Sequence, residues 1–249
     1  MKNKDNSYDL NALVETYDID NAYEQYKRLE FLKKLSNYLS FDKSTVLELG
    51  SASGEMALLL AQNSKQVVAV DGSSKFIKIA RERTVGMTNI IFYEAYFETM
   101  NLNKEFDCLV LDHVLEHVEI PFELLIKAKN MMHTNSIMAI SVPNAHALSR
   151  QLAVKMGLLK SVYELTENDK RHGHFRVYDW QLLEELVNKS GFTIIGKHGL
   201  SFKLFSDKQM LELLNIGTIG EQQVKGLWEL GDSFPELAGV IMLIVKKRE

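Results

Sequence analysis

The chain has 249 residues, 46% hydrophobic and 25% charged, a composition that sustains a folded core and excludes a disordered or fibrous chain. A formal net charge of -4 leaves no global positive field to draw in nucleic acid. The single cysteine, Cys108, excludes an internal disulfide framework and suits a reducing compartment.

Reading from the N-terminus, MKNKDNSYDLNALVETYDID is polar and acidic and lacks the apolar segment of a secretory signal. Residues 20–40 carry helical spacing through Tyr23, Tyr26, Leu29 and Leu32, which predicts a helix over a sheet's carboxyl edge. Five apolar runs then alternate with helical patterns: TVLEL (45–49), QVVAV (66–70), NIIFY (89–93), FDCLVL (106–111) and SIMAISV (136–142). Strands buried on both faces read as continuous apolar runs, so this alternation predicts a parallel sheet flanked by helices. Residues 143–176 loosen into a partly helical excursion. DWQLLEELVNKS (179–190) reads as a helix capped by Asp179 and closed by Gly191. FTIIGKH (192–198) and GVIMLIV (239–245) supply two more strands around a helical excursion at about 203–236. No Pro/Gly/Ser-rich linker divides the chain, which predicts one domain with an N-terminal helical cap at about 1–42. GVIMLIV is too short to cross a bilayer, so a cytoplasmic protein without membrane contact is expected.

The chemistry concentrates where the first strand ends. In VLELGSASGEMALLLA a β-rich run closes at Glu48-Leu49-Gly50, turns through Ser51-Ala52-Ser53-Gly54 and enters a helix at Glu55. Such a turn offers free backbone N–H groups and a positive helix end to a ligand. The dinucleotide fingerprint is absent, because Ala52 and Glu55 stand where it needs glycine, and Glu55 would repel a pyrophosphate. Asp71 closes the second strand 21 residues after Gly50, placed to accept hydrogen bonds from both hydroxyls of a ribose.

Glu48-x-Gly50-x-x-x-Gly54, Asp71 and FDCLVLDHVLEHV together resemble a class I S-adenosylmethionine-dependent methyltransferase, in the small-molecule branch that includes the ubiquinone-biosynthesis O-methyltransferases. The resemblance covers about 40–200 and implies an α/β, doubly wound Rossmann-like sheet of seven strands, mostly parallel with an antiparallel last strand. It implies that Glu48, Gly50, Ser51, Ala52 and Gly54 hold the methionine part of S-adenosyl-L-methionine. By the same resemblance Asp71, Gly72 and Ser73 line the ribose, Tyr96 and Phe97 flank the adenine, and Asp112 and His113 face the methyl group. Two positions depart from the pattern. Ala52 replaces the middle glycine, which is tolerable at negative φ, and Tyr96 replaces the usual acidic adenine contact.

DHVLEHV also contains His113-x-x-Glu116-His117, the ligand spacing of inverzincin peptidases. On one helix the two histidines would share a face. The segment sits instead at a strand end with no third ligand motif, so no metal is expected and His117 is read as structural. Methyl transfer to a hydroxyl needs a base, and His113, His146 and His174 are the candidates. Asn144 and His146 follow the fifth strand and are positioned for the acceptor. DKRHGHFRVY gathers Arg171, His172, His174 and Arg176 into a cluster suited to a phosphate or carboxylate. Tyr17, Tyr23 and Tyr26 are candidates to cover the cofactor.

The expectation is therefore O-methylation of a small polar, possibly anionic acceptor, such as a surface-polysaccharide or nucleotide-linked precursor, by a monomer or homodimer with S-adenosyl-L-homocysteine as product. N-methylation of an amine or amide, or a non-catalytic binding protein of this fold, are the rivals. The Asn/Asp-Pro-Pro-Tyr/Phe tetrad of nucleic-acid methyltransferases is absent.

Overall fold

The computed structural model describes residues 9–17 and 21–248. Seven strands form one sheet: β1 (Thr45–Leu49), β2 (Gln66–Asp71), β3 (Ile90–Glu94), β4 (Phe106–Asp112), β5 (Met132–Pro143), β6 (Phe192–Leu200) and β7 (Val240–Lys247). Their order is β3-β2-β1-β4-β5-β7-β6. The first five pair in parallel, and β7 runs antiparallel to both β5 and β6.

Alternation along each strand builds two cores. Leu47, Leu49, Val68, Val70, Leu109 and Leu111 face one way, against Leu124, Leu125 and Ala128 of α4 (Pro121–Asn130) and Leu183 and Val187 of α7 (Trp180–Lys189). Val46, Val67, Ala69, Cys108 and Val110 face the other way, against α1 (Ala22–Leu35) and α2 (Glu55–Ala61). Each fully buried Leu or Phe contributes roughly 1.5–3 kcal/mol by leaving water, so these two layers fix the strand faces. Asp179 caps α7 through the Leu182 N–H, as its sequence position predicts.

Two expectations change. The helix read over the carboxyl edge instead lies along a sheet face, because Phe31 and Leu35, one turn apart, join the apolar cluster there. Only its first turn reaches the edge, where the Tyr23 hydroxyl meets Ser201 Oγ at 3.2 Å. The edge beside β2 is covered by a 3-10 turn at Leu10–Thr16. β5 also begins earlier than its apolar run: Phe106 pairs with Met132 before a bulge shifts the register to Cys108 and Ile137. No helix among the described residues is long and apolar enough to cross a membrane.

Candidate active site

The carboxyl ends of β1, β2 and β4 converge where the chain order reverses, the place at which open α/β sheets bind ligands. After β1 the turn is drawn back onto the sheet by Gly50 and Ser51, whose N–H groups donate to the Val70 carbonyl at 2.8 and 3.1 Å. Gly50, Ala52 and Gly54 all take positive φ, of 82°, 43° and 83°. The tolerance expected for Ala52 rested on a negative φ and is overturned. The turn requires a left-handed residue there, which costs a non-glycine roughly 1–2 kcal/mol. Asp71 holds that geometry: Oδ2 accepts the Ala52 N–H at 2.9 Å and Oδ1 the Ser73 N–H at 2.8 Å. Burial raises the Asp71 carboxyl, and the Ser73, Ala52 and Gly72 N–H groups pull it back. Gly54 is fixed twice, since a Cβ there would stand 2.7 Å from Ala80 Cβ in α3 (Ser74–Arg83).

Two polar atoms in this crevice have no partner, Glu48 Oε2 and Ser51 Oγ, both on residues at least 97% buried. Buried polar atoms are normally satisfied, so this pair fits a ligand that brings its own donors. Burial, then the nearby Asp112 carboxylate, raises Glu48 well above the usual carboxylate range. A cation would relieve both effects. Asp112 itself is hydrogen-bonded by Ser141 Oγ. Glu55, expected to repel a pyrophosphate, accepts from Ser53 Oγ and pairs with Arg83.

Other expected cofactor positions are occupied by the protein. Ser73 is fully buried; its hydroxyl accepts the Phe76 N–H as the cap of α3 and donates to Asn11 Oδ1 at 2.9 Å. Gly72 lies under Leu10 and Tyr96. Tyr96 is half exposed past β3, and the Phe97 carbonyl accepts from Lys127 Nζ at 2.9 Å. Of the three tyrosines, Tyr17 alone packs against α3, stacked on His172 at 4.9 Å and edge-on to Phe76 at 5.6 Å. Burial, then Glu116 and Asp71, push its phenol far up. Tyr23 bonds Ser201, and Tyr26 packs on Trp228. The Leu10–Asn11 contribution was illegible, because a turn of 7 residues carries no periodicity.

Beyond β4 the backbone does not enter an α-helix. His113 has φ of 56°, and Leu115–His117 is one 3-10 turn, so His113 and His117 do not share an α-helical face. His113 donates its N–H to the Ser141 carbonyl at 3.1 Å. Its Nδ1 is 3.2 Å from Glu116 Oε1, and its Nε2 is 4.0 Å from Asp112 Oδ1. Burial lowers the His113 pKa, but the Glu116 hydrogen bond and the Asp112 charge outweigh it and raise it overall. Glu116 is fully buried; burial alone would raise it, and His113, His117 and His174 bring it below its ordinary range.

His174 joins this group from the stretch after α5 (Leu148–Lys155) and α6 (Glu167–Arg171), its ring edge-on to His117 with centroids 4.6 Å apart. Burial and His117 depress His174 to about 4, so the expectation that it titrates near neutrality is revised. Burial likewise lowers His117. His146 stands apart, exposed and hydrogen-bonded to the Tyr163 hydroxyl at 3.3 Å. Asn144 is 2% exposed, with both amide hydrogens donated to the Glu236 and Ala238 carbonyls and its oxygen accepting the His146 N–H. It fastens β5 to the segment before β7 rather than presenting an amide to a ligand.

The expected basic cluster disperses. Lys170 pairs with Glu167 at 2.7 Å, Arg171 donates to Asn168 at 3.0 Å, and Arg176 donates to the Glu119 carbonyl at 2.9 Å. His172 donates to the Thr16 carbonyl at 3.0 Å, latching the N-terminal 3-10 turn. Each cation has a near partner of its own, so the charges do not converge on one anion.

A sheet in this order, with a glycine-cornered turn after its first strand and an acid closing its second, defines a class I S-adenosylmethionine-dependent methyltransferase. Residues 21–197 match the family model described as "Methyltransferase domain", and the chain belongs to that family. It is 22% identical over 182 residues to an uncharacterized methyltransferase of Staphylococcus carnosus, covering 71% of this chain and 84% of that protein. It is 25% identical over 191 residues to a ubiquinone biosynthesis O-methyltransferase of Rickettsia canadensis, covering 74% and 78%. N-methyltransferase NodS from Bradyrhizobium japonicum, solved with S-adenosyl-L-homocysteine, superposes with a TM-score of 0.60 at 14% identity, over 92% of this chain and 90% of its own. That likeness is one of fold.

Proposed function

We propose that this enzyme methylates a hydroxyl oxygen of a small polar acceptor, with His113 as the general base. The observation that carries the reading is the His113–Glu116 pair at the end of β4. Glu116 is fully buried and hydrogen-bonded to Nδ1 at 3.2 Å, which orients the ring and leaves Nε2 to take a proton. A side chain held this way by a carboxylate is the arrangement that general-base catalysis uses, contributing on the order of 10²–10⁴-fold. The relative named for O-methylation supports oxygen as the methylated atom.

When bound, S-adenosylmethionine supplies a methyl group already activated on a sulfonium. The chain's own contribution is to hold and orient. Glu48 Oε2 and Ser51 Oγ fit the polar atoms of the methionine end, and Asp71 fits the ribose hydroxyls. Asp112, near Glu48, adds negative charge that favours a cation. Tyr17 and the Leu10–Thr16 turn close the outer side and limit water. The dispersal of the basic stretch removes the argument for an anionic acceptor, so a neutral polar one is the better fit.

The test is S-adenosylhomocysteine release across a panel of phenols, sugars and amines. With the best hydroxyl acceptor, His113→Asn is expected to lower kcat at least about 100-fold. Asparagine tolerates the left-handed φ of 56° found there, so the backbone is retained. If turnover stays within about threefold, or amines alone are methylated, a base-free transfer to nitrogen replaces this reading.

A further inference from the structure

The described residues bring Glu116, His117 and His174 together, each with one ligand-type atom within 4.8 Å of the other two. We propose that these three side chains form a binding site for one divalent transition-metal ion. This departs from the expectation of no metal, and it does not depend on which atom the enzyme methylates.

Three observations carry it. First, Glu116 Oε2 is buried without any hydrogen-bond partner, although the residue is fully enclosed and its other oxygen serves His113. A buried carboxylate oxygen left unpaired costs several kcal/mol by order of magnitude, and a cation would satisfy it. Second, both histidines have the outer partners that metal-binding imidazoles usually show. His174 Nδ1 faces Asp169 Oδ1 at 3.5 Å, which turns Nε2 away from that carboxylate. The Gly173 backbone lies beside the His117 ring on its acceptor side. Third, the two contributing segments are fastened to each other and not merely adjacent. The Phe175 N–H donates to the Glu116 carbonyl at 2.8 Å, while within the second segment the His174 N–H donates to the Asp169 carbonyl at 2.9 Å.

Two imidazoles and one carboxylate are a donor set for zinc, cobalt, manganese or ferrous iron, whereas calcium and magnesium prefer oxygen ligands throughout. Metal–nitrogen and metal–oxygen bonds of about 2.0–2.2 Å imply ligand atoms roughly 3.3 Å apart in a tetrahedron. The present separations, none above 4.8 Å, therefore ask for a contraction no larger than side-chain rotation supplies. Three protein ligands leave a coordination position open, as catalytic rather than purely structural sites do.

The experiment uses untagged full-length protein freed of metal by a chelator and dialysed. Zinc is titrated calorimetrically, and cobalt is followed by its visible absorption. One equivalent is expected to bind with a Kd in the micromolar range or tighter, and zinc should bleach the cobalt spectrum. His174→Ala should weaken binding by about 100-fold or more. Glu116→Gln, which keeps the side-chain shape, should weaken it as well, so a fold defect in the first variant does not leave the question open. His133→Ala, remote from the cluster and facing Asp107, should bind like the parent. Absence of binding below about 100 µM, or binding that survives both substitutions, overturns the site. Because the readouts are heat and absorbance, failure here is distinct from failure of O-methylation.

Discussion

Asp71→Asn separates the residue's two roles. In the structure its oxygens accept the Ala52 and Ser73 N–H groups at 2.9 and 2.8 Å. Asparagine keeps one acceptor and turns the other into a donor, so one buried amide loses its partner. That costs about 1–3 kcal/mol of fold stability. In its proposed role toward the cofactor, a carboxylate that would accept two ribose hydroxyls becomes a neutral amide able to accept one. Losing one charge-assisted bond is worth about 1.5–3 kcal/mol, or roughly 10–150-fold in Kd. Calorimetric titration of S-adenosylhomocysteine measures the second effect, and thermal unfolding without ligand measures the first. The expected outcome is a lower Tm together with at least tenfold weaker binding. A lower Tm with Kd within about threefold of the parent would make Asp71 a turn-holding residue only, and would move the nucleoside elsewhere.

Gly54→Ala should destabilise by more than about 2 kcal/mol in urea unfolding, since it adds a left-handed alanine at φ 83° to a 2.7 Å clash with Ala80; a change below about 0.5 kcal/mol contradicts the packing described. Glu30, raised to about 7 chiefly by burial, keeps its proton in the folded state while the unfolded carboxyl releases it near 4.5. The folded state thus holds the extra proton between those values, and stability falls as pH rises through them, by at most about 3 kcal/mol. Glu30→Gln should flatten that slope between pH 5 and pH 8, and an unchanged slope would assign it to other groups.

The strands were legible because the central ones are buried on both faces and read as unbroken apolar runs. TVLEL matches β1 residue for residue. β5 starts ahead of its apolar run, since Met132 pairs with Phe106 before a bulge in which Ser136 Oγ donates to the Phe106 carbonyl, and that signal is polar. Asp71 was legible by position. The φ of Ala52 was not, because a side chain's presence says nothing about which residues of a turn must be left-handed when Asp71 can hold them there. The basic stretch misled for a related reason: Lys170, Arg171 and Arg176 are neighbours in sequence, but each finds its partner in a different direction.

DHVLEHV shows the limit most clearly. Its histidine spacing matches a helical metal motif, yet His113 is left-handed and Leu115–His117 is a single 3-10 turn. What the segment places in the core is one carboxylate, Glu116, and a fully buried carboxylate persists only where neighbours compensate its charge. His113 supplies part of that compensation at Oε1. Oε2 faces the same requirement without a donor, and the residue that stands nearest to completing the set, His174, arrives from 58 positions away along the chain. No local pattern encodes that meeting. It follows from the excursion after β5 being tied back to the Glu116 carbonyl by the Phe175 N–H, so this cluster is a product of the connection rather than of either motif.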